Sequence, residues 1–311
     1  MSATRKGTIY CILSGAVWGL AGCCGQYLFD TSHWDVDFLI PLRVSLAGLV
    51  MVLLAWKMEG GAGLKQVFAT RRNVLDVLIF GVLGIGLCQY SYYVTIAESN
   101  ATTATVLCYL GPVMIILWVA LRARKLPSAT EVLAVACAVL GTFLLATHGD
   151  PTSLALSEKA LFWGIISAVA TAIYTIQPKR LASECGPLSS TGWGMIVAGI
   201  FLTAVRQPWA HVTGTFDAAA WAAFAVVVLL GSVASFGLYF SGMLYVGPTR
   251  ASILCATEPL VSTILSVFWL RVAFLPMDYL GFALVVSTIF ILAIPVKRKD
   301  CTAETSQEAS E

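Results

Sequence analysis

Two charged residues stand within long apolar stretches of the chain, where a charge must be partnered or hydrated. The first is Glu258, which precedes Pro259 near the middle of the apolar segment from Thr249 to Leu270. An ionised carboxylate at such a depth in lipid is costly unless it is paired or reaches water. We therefore expect Glu258 to face a polar interior, where it exchanges a proton or binds a cation. The alternative is a structural, protonated acid that is hydrogen-bonded to a neighbouring hydroxyl.

The second charge is Arg43. It lies about five residues into the apolar segment Phe38–Trp56. At the rise per residue of an α-helix, Arg43 is therefore roughly 8 Å from the outer end of that segment. If its side chain faces an internal cavity, it could bind the anionic group of a ligand or form a gate. It could equally extend outward along the helix to Asp35, Asp37 or Glu98, because long basic side chains reach back to the interface.

Aromatic and amide residues inside apolar segments form a third group. Rings with polar tips suit a cavity that accepts an amphipathic metabolite. They suit hydrogen bonds between membrane helices as well. Together with Arg43 and Glu258, the candidate cavity residues are Trp18, Gln89, Tyr93, Tyr109, Tyr174 and Tyr239.

Sequence patterns typical of catalysis are absent. The chain has neither a phosphate-binding G-x-x-x-x-G-K loop nor an H-E-x-x-H pair, and its three histidines fall in predicted loops. Most of the nine cysteines lie in apolar segments, where cysteine usually packs as a small hydrophobic residue. The sequence therefore predicts no enzyme, no cofactor, no metal site and no nucleic-acid partner.

The composition is that of a membrane protein. Of 311 residues, 58% are hydrophobic and only 12% are charged, whereas soluble domains carry about 25% charged residues. A membrane-spanning helix needs about 20 apolar residues. Ten such spans are predicted: Gly7–Phe29, Phe38–Trp56, Val74–Ala97, Ala101–Leu121, Ser128–Thr147, Lys159–Gln177, Leu188–Val205, Ala218–Val246, Thr249–Leu270 and Pro276–Val296.

The basic residues predict the orientation of these spans. Of the nineteen Lys and Arg residues, fifteen fall in one set of loops and termini, three in the opposite set, and Arg43 in a span. Loops rich in Lys and Arg stay in the cytoplasm. Both chain termini are therefore predicted to be cytoplasmic.

The chain also contains an internal repeat. The stretch Tyr92–Pro112 returns loosely at Tyr239–Pro259, at an offset of 147 residues. Each half holds five predicted spans. Because an odd number of spans ends on the side of the membrane opposite to where it began, the second half must cross the membrane in the inverted orientation. Inverted repeats are a recurrent plan of carriers, and paired helix interruptions point to their binding site. We expect Pro112 and Pro259 to kink their helices at such a site.

Four motifs resemble those of the drug/metabolite transporter superfamily, specifically its EamA-like members. They are Ala16-Val-Trp-Gly19, Leu42-Arg-Val-Ser-Leu-Ala47, Leu110-Gly-Pro112 and Glu258-Pro259. The resemblance implies repeats at residues 7–147 and 159–296, an outer linker at 148–158 and a cytoplasmic tail at 297–311. It also implies alternating access and a central cavity. The Gly-Glu-Arg sequence that often closes the fourth helix of such repeats is replaced in both halves.

The sequence therefore predicts an all-α polytopic protein of the plasma membrane or bacterial inner membrane. The expected function is secondary transport, in the direction of export, of small metabolites such as amino acids. Glu258 would couple transport to protons, and the protein would be a monomer or a weak homodimer. The alternatives are a carrier of choline or other quaternary amines, nucleotide sugars or drugs, a non-transporting membrane protein, and an intramembrane enzyme.

Overall fold

The protein is described from a computed structural model. The structure describes residues 2–59, 61–111, 113–115, 118, 121, 129–148, 150, 156–247, 250–251, 254–255 and 257–293. Within this part of the chain there are helices and no strands. The helices are α1 (Ala3–Asp30), α2 (Val36–Met58), α3 (Ala62–Gln66), α4 (Arg71–Glu98), α5 (Ala101–Cys108), α6 (Ala129–Thr147), α7 (Glu158–Ile176), α8 (Lys179–Cys185), α9 (Pro187–Arg206), α10 (Ala218–Val246), α11 (Thr257–Phe268) and α12 (Pro276–Ala293).

Short polar side chains determine where the long helices begin. Asp35, Thr70, Asn100, Ser157 and Asp217 each accept a hydrogen bond from a backbone N–H in the first turn of the helix that follows. Such caps satisfy N–H groups that have no partner within the helix. The apolar runs of the sequence therefore start at defined residues rather than fraying.

Within the part of the chain that the structure describes, six helices are long and apolar enough to cross a membrane: α1, α2, α4, α7, α9 and α10. They coincide with six of the predicted spans to within a few residues. The fourth, fifth and ninth predicted spans correspond to shorter apolar helices in the described residues. Large apolar side chains such as Leu53, Ile200 and Phe290 remain exposed on the outside of the helices, as expected for a surface that faces lipid.

The helices pack in a pattern that is preserved when the two halves of the chain are exchanged. Helix α2 packs along α9, and α6 packs along α12. Helix α1 packs along α10, just as α7 packs along α4. The central helices α1, α4, α7 and α10 therefore surround the middle of the molecule.

Both α4 and α10 contain a π-helical stretch. The stretches are Phe80–Gly86 and Val226–Ala234, and they include Gly84 and Gly231, which the 147-residue offset pairs. A π-helical turn holds more residues than an α-helical turn and is frequent at functional sites. The repeat in the sequence is therefore matched by a repeat in local backbone geometry.

The position of Glu258 requires a correction to the sequence-based expectation. We expected one continuous helix with Glu258 at its middle and a kink at Pro259. Instead the chain makes a turn at Cys255, and α11 begins at Thr257. Pro259 is thus the third residue of a new helix, where its missing N–H leaves no hydrogen bond unmade. The corresponding expectation for Pro112 lies outside the described residues.

Candidate functional site

A cavity with two adjoining lobes lies between the central helices. The first lobe includes Arg43, Gln89, Tyr93 and Phe236, and the second includes Tyr109 and Tyr239. Both lobes are bordered by Trp18, Cys108, Tyr174 and Glu258. The structure therefore brings all eight cavity candidates of the sequence analysis to one place: Trp18, Arg43, Gln89, Tyr93, Tyr109, Tyr174, Tyr239 and Glu258. Their roles in binding and coupling stay predictions.

The two lobes are small in this conformation. The volume open to the centres of water-sized molecules is about 40 Å³ in the first lobe and about 30 Å³ in the second. A single water needs roughly 10–15 Å³ by the same measure, so each lobe has room for a few waters. A metabolite would enter only after the surrounding helices move apart.

Aromatic rings separate the two lobes. The ring of Trp18 on α1 lies 5.1 Å from Phe236 and 5.3 Å from Tyr239, measured between centroids. Tyr174 on α7 lies 5.9 Å from Phe236 and 6.0 Å from Tyr239. Edge-on and tilted pairs of this kind attract each other beyond simple burial. Three helices thus contribute one aromatic cluster, which has to rearrange if the lobes are to join.

Arg43 is buried inside the protein rather than extended to its surface. The side chain is 1% exposed. Its Nε donates to Ser232 Oγ at 2.9 Å, and one terminal nitrogen donates to Gln89 Oε1 at 2.9 Å. The other terminal nitrogen donates to the Gly231 carbonyl at 3.4 Å, and the guanidinium carbon lies 4.4 Å from the centroid of the Tyr93 ring. Arg43 on α2 is therefore held by α4 and by the π-helical stretch of α10.

Glu258 borders both lobes and is only partly buried. Its Oε1 accepts a hydrogen bond from the Tyr92 hydroxyl at 3.5 Å, and that hydroxyl also lies 2.8 Å from Thr105 Oγ1. As the second residue of α11, Glu258 lies at the positive end of the helix dipole, which stabilises a carboxylate. The carboxyl group of Glu258 therefore lies between the Tyr92 hydroxyl and the first turn of α11.

The turn before α11 is held by a residue from the first half of the chain. The Tyr109 hydroxyl donates to the Cys255 carbonyl, which also accepts from the Glu258 N–H at 2.9 Å. Tyr109 itself stands in the turn that follows α5. Helix α1 approaches the same turn closely, since a Cβ added at Gly15 would lie 2.4 Å from the Cys255 carbonyl oxygen. The two helix interruptions thus meet beside the cavity.

The sequence matches the EamA-like transporter family twice, over residues 5–147 and over residues 158–294. The chain belongs to the EamA-like transporter family. The two matched segments are called the first and second repeats below.

Relatives of this EamA-like transporter are described as transporters. An uncharacterized inner membrane transporter of Salmonella typhimurium, YicL, is 37% identical over 302 residues, covering 96% of this chain and 99% of that protein. The uncharacterized transporter YwfM of Bacillus subtilis is 21% identical, covering 97% of this chain and 99% of that protein. One crystal structure aligns over 94% of this chain and 96% of its own with a TM-score of 0.64 at 16% identity, which shows a shared fold. The protein is therefore a multi-pass membrane transporter of a small molecule, embedded in a cell membrane.

Ion pairs join the two repeats of the EamA-like transporter near both ends of α4 and α7. At one end, Lys159 Nζ lies 2.6 Å from Glu98 Oε1. At the other, Arg180, which follows α7, pairs with Asp76 on α4. Hydrogen bonds to Asp76 and Glu184 raise the pKa of Arg180 above its ordinary value, so this residue stays charged at any physiological pH. An ion pair therefore crosses between the repeats near each end of α4 and α7.

Among the described residues, one group has metal-ligating atoms within reach of one another: Asp35, Asp37 and His211. These residues are partly exposed at the start of α2 and in the loop before α10. Arg206 Nε lies 3.6 Å from Asp37 Oδ1, and a guanidinium so close opposes the binding of a cation. The group fits a polar rim better than a metal centre.

Sequence reasoning missed Phe236 and Cys88 as cavity residues and Ser232 as the partner of Arg43. Phe236 lies one helical turn before Tyr239, so helical spacing could have identified it. Ser232 follows Gly231, which the 147-residue offset of the repeat pairs with Gly84. Its hydrogen bond with Arg43 could not be predicted, because it depends on how α10 is rotated about its own axis. Cys88 precedes Gln89 and gave no separate signal.

Proposed function

We propose that this EamA-like transporter is a secondary carrier that exports small metabolites such as amino acids by alternating access. The observation that supports this most directly is the shared cavity. Trp18, Arg43 and Gln89 come from the first repeat, and Tyr174 and Glu258 come from the second. A ligand bound there touches both repeats, so a movement between the repeats changes its access to the two sides of the membrane.

In this proposal the repeats are five-helix bundles of opposite orientation, with ten spans and both termini in the cytoplasm. The unequal distribution of Lys and Arg between the loops supports this threading. The helix packing supports it as well, because the same pairs of helices are in contact when each helix is replaced by its counterpart in the other half. Inverted repeats provide two related conformations that open on opposite sides.

Opening on either side requires the loss of contacts at that mouth. The Glu98–Lys159 pair would separate on the outer side, and the Asp76–Arg180 pair would separate on the cytoplasmic side. Each pair is partly exposed, and pairs of this kind contribute little net stability. Either mouth can therefore open at a small cost in free energy.

Glu258 is the proposed coupling residue. It borders both lobes, so it can be reached from either side as the cavity opens. Among the described residues, its side chain is held by a single hydrogen bond, from Tyr92, which leaves oxygen lone pairs for a proton or a cation. Binding one or the other in alternation would link substrate movement to an ion gradient.

The test begins with a thermal-shift screen of the purified protein against amino acids, sugars, polyamines and quaternary amines, because a bound ligand stabilises the folded state. The ligand found is then followed in proteoliposomes with an imposed pH gradient. Glu258→Gln should bind the ligand but lose acceleration by the gradient, whereas Glu184→Gln, at an exposed acid far from the cavity, should behave as the parent does. Full gradient-driven transport by Glu258→Gln would remove Glu258 from the mechanism, and binding without any transport would contradict the carrier.

A further inference from the structure

We propose that Arg43 forms a carboxylate-binding subsite in the first lobe, and that the substrate is a small carboxylate with an apolar body. This inference rests on the proposed function, because it names the class of substrate that the carrier would move. It is carried by the hydrogen bonds of the guanidinium, by the surrounding charges and by the wall of the lobe.

The guanidinium has more donors than acceptors around it. An arginine side chain carries five N–H groups. Ser232, Gln89 and Gly231 accept one hydrogen bond each, from the three different nitrogens of the guanidinium. These three bonds leave one N–H group on each terminal nitrogen, although the side chain is 1% exposed.

Two N–H groups on the terminal nitrogens of one guanidinium can bind a carboxylate together. One N–H on each terminal nitrogen gives a planar pair of donors that matches the two oxygens of a carboxylate. The guanidinium borders the first lobe of the cavity. A carboxylate that enters that lobe would therefore meet the guanidinium.

The charge of Arg43 also lacks a partner. No acid in the described part of the chain lies within ion-pair distance of it. Glu258 borders the same lobe but is hydrogen-bonded to Tyr92 instead. A buried cation without a countercharge is costly, so an anion that enters the lobe gains a strong electrostatic attraction. A quaternary amine would be repelled by the same charge.

The rest of the lobe suits an apolar group. Trp18, Phe236 and Tyr174 line the same lobe as an aromatic wall, in which the rings of Trp18 and Tyr174 both pack against Phe236. Such a wall would pack against an aromatic or aliphatic body, while the carboxylate fixes its orientation. Because Arg43 belongs to the first repeat and Ser232 and Gly231 to the second, a bound carboxylate would also lie at the junction that moves.

The test compares acids with their amides, which have the same shape but lack the negative charge of the carboxylate. The probes are benzoate, 3-phenylpropionate and L-phenylalanine, each against its amide, with binding to the purified protein measured by calorimetry. At least one acid should bind about tenfold more tightly than its amide, which is the expected effect of charged hydrogen bonds. Equal binding of every acid and its amide would overturn the proposal.

Gln89→Glu is the decisive variant. It places a carboxylate of almost identical shape where the amide oxygen already lies 2.9 Å from the guanidinium, so the fold should be kept while the charge of Arg43 is neutralised from within the protein. The preference for acids over amides should disappear in this variant and in Arg43→Gln. It should persist in Lys65→Gln, which removes an exposed cation on α3. An acid preference that survives Gln89→Glu would contradict the assignment of Arg43.

Failure of this inference is distinguishable from failure of the proposed function. If an acid binds through Arg43 but is not carried across proteoliposome membranes, the subsite stands and the carrier is wrong. If a different ligand is carried and Gln89→Glu leaves its transport unchanged, the carrier stands and the subsite is wrong.

Discussion

The hydroxyl of Tyr109 donates a hydrogen bond to the main-chain carbonyl of Cys255, joining the interrupted helix of the first repeat to that of the second. The same carbonyl accepts the N–H of Glu258. Tyr109 therefore holds the turn that carries the proposed coupling acid, and any movement between the repeats must keep or break this bond.

We expect Tyr109→Phe to lower the free energy of unfolding by about 1 kcal/mol, the usual net contribution of one hydrogen bond. The carbonyl keeps its bond from Glu258, so the loss should be no larger. Thermal unfolding in detergent measures the effect. Tyr279→Phe is the control, because Tyr279 is 49% exposed, and it should change stability little. Equal stability of the two variants would show that the Tyr109 bond contributes nothing.

Gly231→Ala should be strongly destabilising. A Cβ at this position would lie 2.3 Å from the Cβ of Ala21, so α1 and α10 would have to separate, at a cost of about 1–3 kcal/mol. The matched control is Gly237→Ala on the same helix, where the nearest atom is the end of the Leu188 side chain at 3.3 Å. That variant should be neutral or slightly stabilising, since alanine favours the helix. The thermal midpoints of the two variants test this difference, and similar midpoints would contradict the close packing.

Arg180→Glu should open the cytoplasmic mouth. It replaces the attraction to Asp76 by repulsion, and the cavity cysteines Cys88 and Cys108 should then react faster with a membrane-impermeant maleimide supplied from the cytoplasmic side. Peptide mass spectrometry of labelled membrane vesicles measures the rates. Glu184→Gln removes the pair that Arg180 makes within its own helix and should leave labelling unchanged. Unchanged labelling in Arg180→Glu as well would show that this pair does not hold the mouth shut.

The charges in the apolar segments were visible in the sequence, but their partners were not. Arg43 and Glu258 were predicted as cavity residues because few other roles justify a charge inside lipid. The choice between a buried Arg43 and one that reaches the surface depends on Ser232 and Gln89, which meet only after α2, α4 and α10 have packed. The turn at Cys255 was missed because proline was expected to kink a helix from within, whereas here it occupies the first turn of a new one.

The predicted threading can be tested by the side on which introduced cysteines react. Val212→Cys, in the exposed loop before α10, should react with an impermeant maleimide in intact cells. Lys65→Cys on α3, and cysteines added at either terminus, should react only after the cells are opened. A terminus that reacts in intact cells would overturn the ten-span arrangement.

The π-helical stretch in α10 also determines in which direction around the helix axis the side chains after it point. Each residue of an α-helix turns the next by about 100°, so removing one residue from Val226–Ala234 would rotate the remaining turns by roughly that angle. Ser235 and Tyr239 would then point away from the middle of the protein, although no side chain had been replaced. For this helix, the number of residues in the π-helical stretch matters as much as their chemistry. Deletion of a single residue from that stretch should therefore be more damaging than most substitutions in it.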